Sequence, residues 1–244
     1  MALLGDVADA VAAAMARVDD LGPSGRRDGQ YVLDLHADDA ALAVLRAAGV
    51  GVLSEESGLE RPDADEIVIV DPVDGSTNAS RGVPWYATSL CLVDRDGPAA
   101  ALVVNLASGV RYWAERGGGA FCDGVRLRTS GCRDTTSAIV GLNGIPSRSL
   151  GTAQVRMFGA AALDLCQVAA GVLDGYVDCT TDQHGPWDYA AAVLVCAEAG
   201  AIVTDAASRA LVVLDHAARR TPVAAATPEL HAALLATRRS FDER

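Results

Sequence analysis

A short apolar run, Ile67-Val-Ile-Val70, ends abruptly in Asp71-Pro-Val-Asp74-Gly-Ser-Thr-Asn78. Two carboxylates beside a backbone carbonyl suit a hard divalent cation, which takes oxygen ligands. Pro72 biases Asp71 toward an extended backbone and ends the ladder, so Asp74 is expected to come round a turn to meet it, with Gly75 supplying backbone freedom. Gly75, Ser76, Thr77 and Asn78 are small or capping residues fit to open a helix, whose free N–H groups would point at an anion. The chemistry this spacing suggests is a cation site beside a phosphate cradle.

Two further acidic clusters stand at element ends, Glu55-Glu56 after a short strand and Trp187-Asp188 at a helix start. Functional groups gather at such ends, because the scaffold fixes them while ligand still reaches them. Taken alone, the glutamates read as a solvated turn and Asp188 as a helix cap after Pro186. A cap accounts for one carboxylate but not for two flanking a proline, and the three clusters together favour a site. Of the histidines, His184 stands near Asp188 and could line the pocket, with an exposed loop residue the favoured expectation. Arg156 and Asp164 could form a buried pair or touch substrate, and Trp85 and Trp113 are expected in packing.

These groups need elements to hold them. Residues 67–70 are β-branched and bounded by charge and Asp-Pro, as suits a central strand buried on both faces. Helical spacing predicts helices over 4–18, stopped by Gly22-Pro23, and over 38–48, with a turn at 24–29. A short strand over 50–53 leads into Glu55. Strands over 87–93, 99–105 and 110–114, followed by 120–124, make an antiparallel meander, so this half reads as α+β. From residue 137 strands (138–142, 176–178, 201–204, 223–226) alternate with helices (160–170, 189–199, 228–238), and the second half reads as α/β. Two packed units are expected, 1–133 carrying most of the candidate ligands and 134–244 carrying Asp188.

Composition narrows the class. Half of the 244 residues are hydrophobic, enough for a substantial core. The net charge of -12 argues against nucleic-acid polymer or anionic membrane as partner, since no basic stripe is present to displace counterions. All 20 basic residues are arginine, which removes Schiff-base chemistry and the lysine of a P-loop. A phosphate clamp must therefore use N–H groups, arginine or metal. The six cysteines show no C-x-x-C pair or zinc-like spacing, so reduced thiols in a cytoplasmic protein are expected. No apolar run approaches the roughly 20 residues of a membrane span.

The run Asp71-Pro-Val-Asp-Gly-Ser-Thr-Asn78 resembles the D-P-[IVL]-D-G-[ST]-x-N signature of the inositol monophosphatase family of magnesium-dependent, lithium-sensitive phosphatases. Ser54-Glu-Glu-Ser57 resembles its G-E-E-S element, and Trp187-Asp-Tyr-Ala-Ala-Ala192 through Glu198-Ala-Gly200 its W-D-x-A-A…E-A-G helix. Leu35-His-Ala-Asp38 resembles T-x-A-D, and Gly117 to Gly124 resembles G-x-G-A-F-x-N-G. The resemblance implies a layered αβαβα sandwich, with a mostly antiparallel N-terminal sheet and a mixed, largely parallel C-terminal one. It implies Glu55, Asp71 and the Val73 carbonyl on one Mg2+, and Asp71, Asp74 and Asp188 on a second, with Mn2+ as a substitute and Glu56 near a third ion or supporting the first. Gly75 and Ser76 would hold phosphate, and Ser76 with Asp38 would orient the attacking water. Clustered cations would neutralise a phosphate monoester and its departing alkoxide, with in-line attack and no covalent intermediate. A homodimer is also implied.

The resemblance departs at the alcohol side. Arg27 stands where many members carry lysine, Gly159-Ala160-Ala161 lacks the hydroxyl of the G-[TS]-A element expected to touch substrate, and Asp178 stands near a substrate-contacting acid. The segment 179–186 is about three residues longer than the family pattern. The implied substrate is thus a small phosphorylated metabolite: an inositol phosphate, sugar phosphate, histidinol phosphate or nucleotide 3′-phosphate. Two rivals compete with this reading. A haloacid dehalogenase-like phosphatase with Asp71 as nucleophile would need D-x-D spacing, whereas position 73 is valine. A non-catalytic metal-binding relative finds its hints in Arg27 and Ala160 alone.

Overall fold

A computed structural model describes residues 1–241. The chain opens with helices α1 (Ala2–Met15) and α2 (Val32–Ala48). An eight-stranded sheet follows, made of β1 (Gly51–Ser54), β2 (Gly58–Glu60), β3 (Ile67–Asp74), β4 (Ala87–Asp94), β5 (Gly97–Asn105), β6 (Arg111–Glu115), β7 (Gly119–Cys122) and β8 (Val125–Arg126), with the short helix α3 (Ser76–Arg81) after β3. Its order is β2-β1-β3-β4-β5-β6-β7-β8. Only the β1–β3 pairing is parallel among the described residues.

The second half supplies β9 (Ile139–Asn143), β10 (Gln154–Arg156), α4 (Ala161–Ala169), β11 (Gly175–Asp178), α5 (Pro186–Ala199), β12 (Ile202–Asp205), β13 (Pro222–Ala225) and α6 (Pro228–Arg239). Its sheet runs β10-β9-β11-β13-β12. Two of these pairings are parallel and two antiparallel, so the expected largely parallel sheet is evenly mixed. The reason is β13: it returns antiparallel to both its neighbours, reached through the long segment after β12 rather than through a crossover helix.

Five layers result. Val68 and Val70 of β3 face α1 and α2 in one core, while Ile67 and Ile69 face α4 and α5 in another. That double burial is why the run shows no polar alternation. Helices α4 and α5 lie between the two sheets, and α6 covers the outer face of the second with Leu230 and Leu234. The two sheets therefore share one core across the α4–α5 layer. Glu198 of α5 strengthens that junction by accepting from the N–H groups of Gly117 (2.7 Å) and Gly119 (2.8 Å) at the β6–β7 turn.

Helix α2 begins six residues before the expected start at Asp38. Tyr31 precedes it in extended conformation, and its N–H donates to Asp34 Oδ2 at 2.8 Å. An acid at the third helical position caps the helix as well as one at the cap itself, and Leu33, Ala37 and Ala41 continue its buried stripe. All six cysteines are free thiols. No described helix is long and apolar enough to cross a membrane.

Candidate active site

The central strand runs on through Pro72 to Asp74, and a register shift lies between Asp71, opposite Ser89, and Asp74, opposite Ala87. Three residues separate the aspartates on β3 while two separate their partners on β4, so β3 carries one extra residue, a bulge. In a regular strand, side chains three apart point to opposite faces. The bulge puts both aspartates on the face of Ala87 and Cys91, toward α4 and α5. Pro72 costs no ladder bond there. Val73 N–H folds back onto Asp71 Oδ1 (3.0 Å), and the Pro72 carbonyl accepts from Thr88 Oγ1 (2.9 Å).

Glu55 arrives from the end of β1, parallel to β3, and its N–H donates to the Val70 carbonyl (3.2 Å). Asp38 lies beneath this turn, where it accepts from Ser54 Oγ (2.5 Å) and from Ser57 Oγ, the residues flanking the glutamates. On the outer side, the Arg27 guanidinium reaches Glu55 (3.4 Å) and both carboxylate oxygens of Glu56 (3.0 Å), and Gln30 also donates to Glu56. His216, packed against Trp187 with ring centroids 4.8 Å apart and the rings tilted by 33°, hydrogen-bonds the Glu55 carbonyl (3.0 Å).

Asp188 comes from the first turn of α5, where Pro186 starts the helix and Asp188 Oδ2 accepts from the Gly185 N–H (2.7 Å). Carboxylate oxygens of Glu55, Asp71 and Asp188 lie within 4.8 Å of one another. The same three residues, with Val73, Asp74, Gly75, Ser76, Thr77 and Gly159, line a recess of about 200 Å³. Asp188 thus both caps α5 and lines the recess.

Burial, followed by the charges of Asp188 and Glu56, holds the Glu55 carboxyl well above its ordinary pKa. Burial does the same to Asp71, with Glu55, Asp74 and Asp188 adding to it, and to Asp74, where Asp188 adds and the Ala162 N–H (2.7 Å to Oδ2) opposes. The carboxylates thus repel across a space that Arg27 touches only from outside. All-oxygen donors, a Val73 carbonyl on the lining and mutual repulsion fit one or more hard divalent cations.

Next to this cluster Gly75 precedes α3 in a left-handed conformation (φ 86°). A Cβ there would stand 3.1 Å from the Gly159 and Trp85 carbonyls, so the close approach of three chain segments requires glycine. Asn78 ties the same segments together, donating to the carbonyls of Trp85 (2.8 Å) and Phe158 (2.7 Å). The Ser76 side chain acts on the Asp34 carboxyl across the gap to α2 and lowers its pKa. Burial raises the Asp34 pKa to about 7, against the Tyr31 N–H.

A family model described as the inositol monophosphatase family matches residues 5–243. The chain belongs to the inositol monophosphatase family. It is 36% identical over 208 residues to an inositol-1-monophosphatase of Mesorhizobium japonicum, covering 77% of each chain. It is 33% identical to a fructose-1,6-bisphosphatase of Pyrococcus furiosus, with 86% of this chain and 82% of that one aligned. Among solved structures, the extragenic suppressor protein suhB of Bartonella henselae superposes with TM-score 0.83 at 28% identity, over 98% and 97% of the two chains.

In this member of the inositol monophosphatase family, the structure brings together Glu55, Asp71, Val73, Asp74, Gly75, Ser76 and Asp188 around one recess. Three other candidates stand apart from it. Asp38 is engaged by Ser54 and Ser57, and Asp34, one turn earlier on α2, is the acid that meets Ser76. Ala161 is buried in the first turn of α4, off the lining. Asp178 is completely buried, bonded through Oδ1 to Asn143 Nδ2 and Thr180 N–H (3.0 Å each).

Other expectations change as well. His184 is half-buried against Asp188, not exposed: its backbone pairs with Arg220, and its ring reaches the carboxylates. Burial alone would lower the imidazole pKa; the carboxylates of Asp188, Asp178 and Asp74 outweigh it and raise it to about 9. Arg156 is exposed and does not meet Asp164, which accepts instead from Trp85 Nε1 (2.8 Å). Asp34 and His216 are the neighbours of the site that spacing alone missed, and His184 is the one it named but set down as exposed. The one signal for Asp34 was its position three residues after Tyr31, at the third position of an apolar helix.

Proposed function

We propose that this chain is a magnesium-dependent phosphatase of small phosphate monoesters. The observation that carries this reading is the meeting of Glu55, Asp71 and Asp188 within 4.8 Å, on a recess that also contains the start of α3. Relatives named as phosphatases of inositol phosphate and fructose bisphosphate support it.

Glu55, Asp71, the Val73 carbonyl, Asp74 and Asp188 would hold two Mg2+ ions, with Mn2+ as a substitute. Bound magnesium supplies positive charge to the phosphoryl oxygens, acidity to the attacking water and charge compensation to the departing alkoxide. Gly75 and Ser76 place N–H groups at the entrance of α3, where an anion is favoured. Asp34, whose carboxyl feels the Ser76 side chain, would orient and deprotonate water with Ser76, in place of Asp38 and Ser76. Asp38 acts one step back by clamping the turn that carries Glu55. Arg27 neutralises Glu55 and Glu56 on the solvent side, the position a third ion would take.

On the alcohol side the chain offers few polar groups, since Ala160 and Ala161 carry no hydroxyl and Asp178 is turned inward. The leaving group is therefore chosen more by fit than by a carboxylate contact.

Phosphate release from a panel of inositol, sugar, histidinol and nucleotide monoesters, with Mg2+ and then with chelator, tests the proposal. Turnover that needs Mg2+ and leaves no phosphoenzyme supports it. No turnover across the panel would favour a non-catalytic relative, and a phosphoenzyme on Asp71 would favour the dehalogenase-like route.

A further inference from the structure

The His184 side chain is 12% exposed and sits between two carboxylates. Its Nδ1 lies 3.1 Å from Asp188 Oδ2, and its Nε2 lies 3.2 Å from the Tyr176 hydroxyl and 3.7 Å from Asp178 Oδ2. Asp178 Oδ2 is completely buried and makes no hydrogen bond, the one such side-chain atom found among the described residues. The imidazole is the group that faces it. The backbone is pinned too, since His184 N–H donates to the Arg220 carbonyl (3.2 Å) and the Arg220 N–H returns the bond (2.8 Å).

The consequence falls on Asp188. A carboxylate only accepts, so Nδ1 presents its proton to Oδ2, which also takes the Gly185 N–H at 2.7 Å. One oxygen of Asp188 is thus held by two donors from a pinned segment.

We propose that His184, steadied by Tyr176 and Asp178, is a positioning residue that fixes the Asp188 carboxylate as a cation ligand. The inference rests on the reading of Asp188 as a ligand. Outer partners of this kind are typically worth about 10–100-fold in metal affinity. Without the imidazole, Asp188 keeps only the Gly185 bond and its carboxylate can turn away from the cluster.

Mn2+ titration of the substrate-free protein, read by the electron paramagnetic resonance of free Mn2+, tests this without reference to turnover. His184→Ala should weaken one class of Mn2+ site by about 10–100-fold and leave the other near its wild-type affinity. His184→Asn, whose amide N–H can occupy the place of Nδ1–H, should restore most of the loss. Tyr176→Phe removes a single hydroxyl and should give a smaller shift in the same direction, which serves should His184→Ala fail to fold. A wild-type isotherm in folded His184→Ala, or in Tyr176→Phe if the alanine variant is unfolded, would overturn the proposal, as would equal weakening by Ala and Asn. Absence of Mn2+ binding by the wild-type protein would instead overturn the site reading, and the inference with it.

Discussion

Asp34 stands beside Ser76 across the gap between α2 and α3, whereas Asp38, one turn further along the same helix, accepts from Ser54 and Ser57. On the proposed reading the two aspartates separate a chemical role from a mechanical one. Asp34→Asn should lower kcat by about 10²–10⁴-fold with KM little changed, since it removes the acceptor for the water's proton and little else. Asp38→Asn should act mainly on stability, lowering the melting temperature by loosening the turn under Glu55. Steady-state kinetics and thermal melts of both variants decide the assignment, and the reverse pattern would return the role to Asp38.

Asp71 is the most crowded of the carboxylates, with Glu55, Asp74 and Asp188 all raising its pKa in addition to burial. Asp71→Asn should nearly abolish Mg2+-dependent turnover. In chelator the same variant should melt at or above the wild-type temperature, because repulsion among clustered carboxylates is relieved. Added Mg2+ should stabilise the wild-type protein by about 2.7 kcal/mol at 100 times its Kd, and the variant by less. A melting temperature in chelator well below wild type would show that Asp71 is needed for the fold rather than for the cation.

What sequence reading reached and what it missed divide along the range of the forces involved. The β3 strand and the caps of Asp188 and Gly75 were legible because burial on both faces and helix-start chemistry act over a few residues. The bulge was not, since it exists only in the pairing of β3 with β4. The short strands β2 and β10 carry three residues each, too few for a period, and β10 is fully exposed. Asp34 was hidden behind Tyr31-Val-Leu, which does not look like a cap, and Asp38 drew the attention due to its neighbour. The path of segment 179–185 is set by the pairing of His184 with Arg220, so Asp178 and His184 could not be placed from spacing.

Gly75 and Gly109 both hold positive φ, 86° and 77°, but only Gly75 is crowded, with the Gly159 and Trp85 carbonyls 3.1 Å from where a Cβ would stand. Replacement by alanine should cost each about 1–2 kcal/mol for the left-handed backbone. Gly75→Ala must also push α3 away from Gly159, and so should lose most of its turnover. Gly109→Ala has open space around it and should keep wild-type kcat. Denaturant midpoints measure the shared strain and kinetics the difference; equal turnover in the two variants would detach Gly75 from the site.

Asp164 gives a pH test that does not pass through the cation cluster's ligands. It is buried with Oδ1 on Trp85 Nε1, and burial raises its pKa from 3.8 to about 7. Between those values the folded protein keeps a proton that the unfolded chain has released, so this residue's contribution to stability falls as pH rises from about 4 to 7 and is level above. Asp164→Asn keeps an oxygen for the indole N–H and has no charge to bury. Its stability relative to wild type should therefore grow across that window, by an amount on the order of a few kcal/mol, and then hold constant to pH 8. Taking the difference between the two proteins in chelator cancels the titration of Glu55 and Asp71, which is common to both, while Asp74 loses the small upward push of the Asp164 charge in the variant. Urea midpoints at pH 4, 5, 6, 7 and 8 are sufficient, and a difference that does not vary with pH would mean that Asp164 is already ionised in the folded protein.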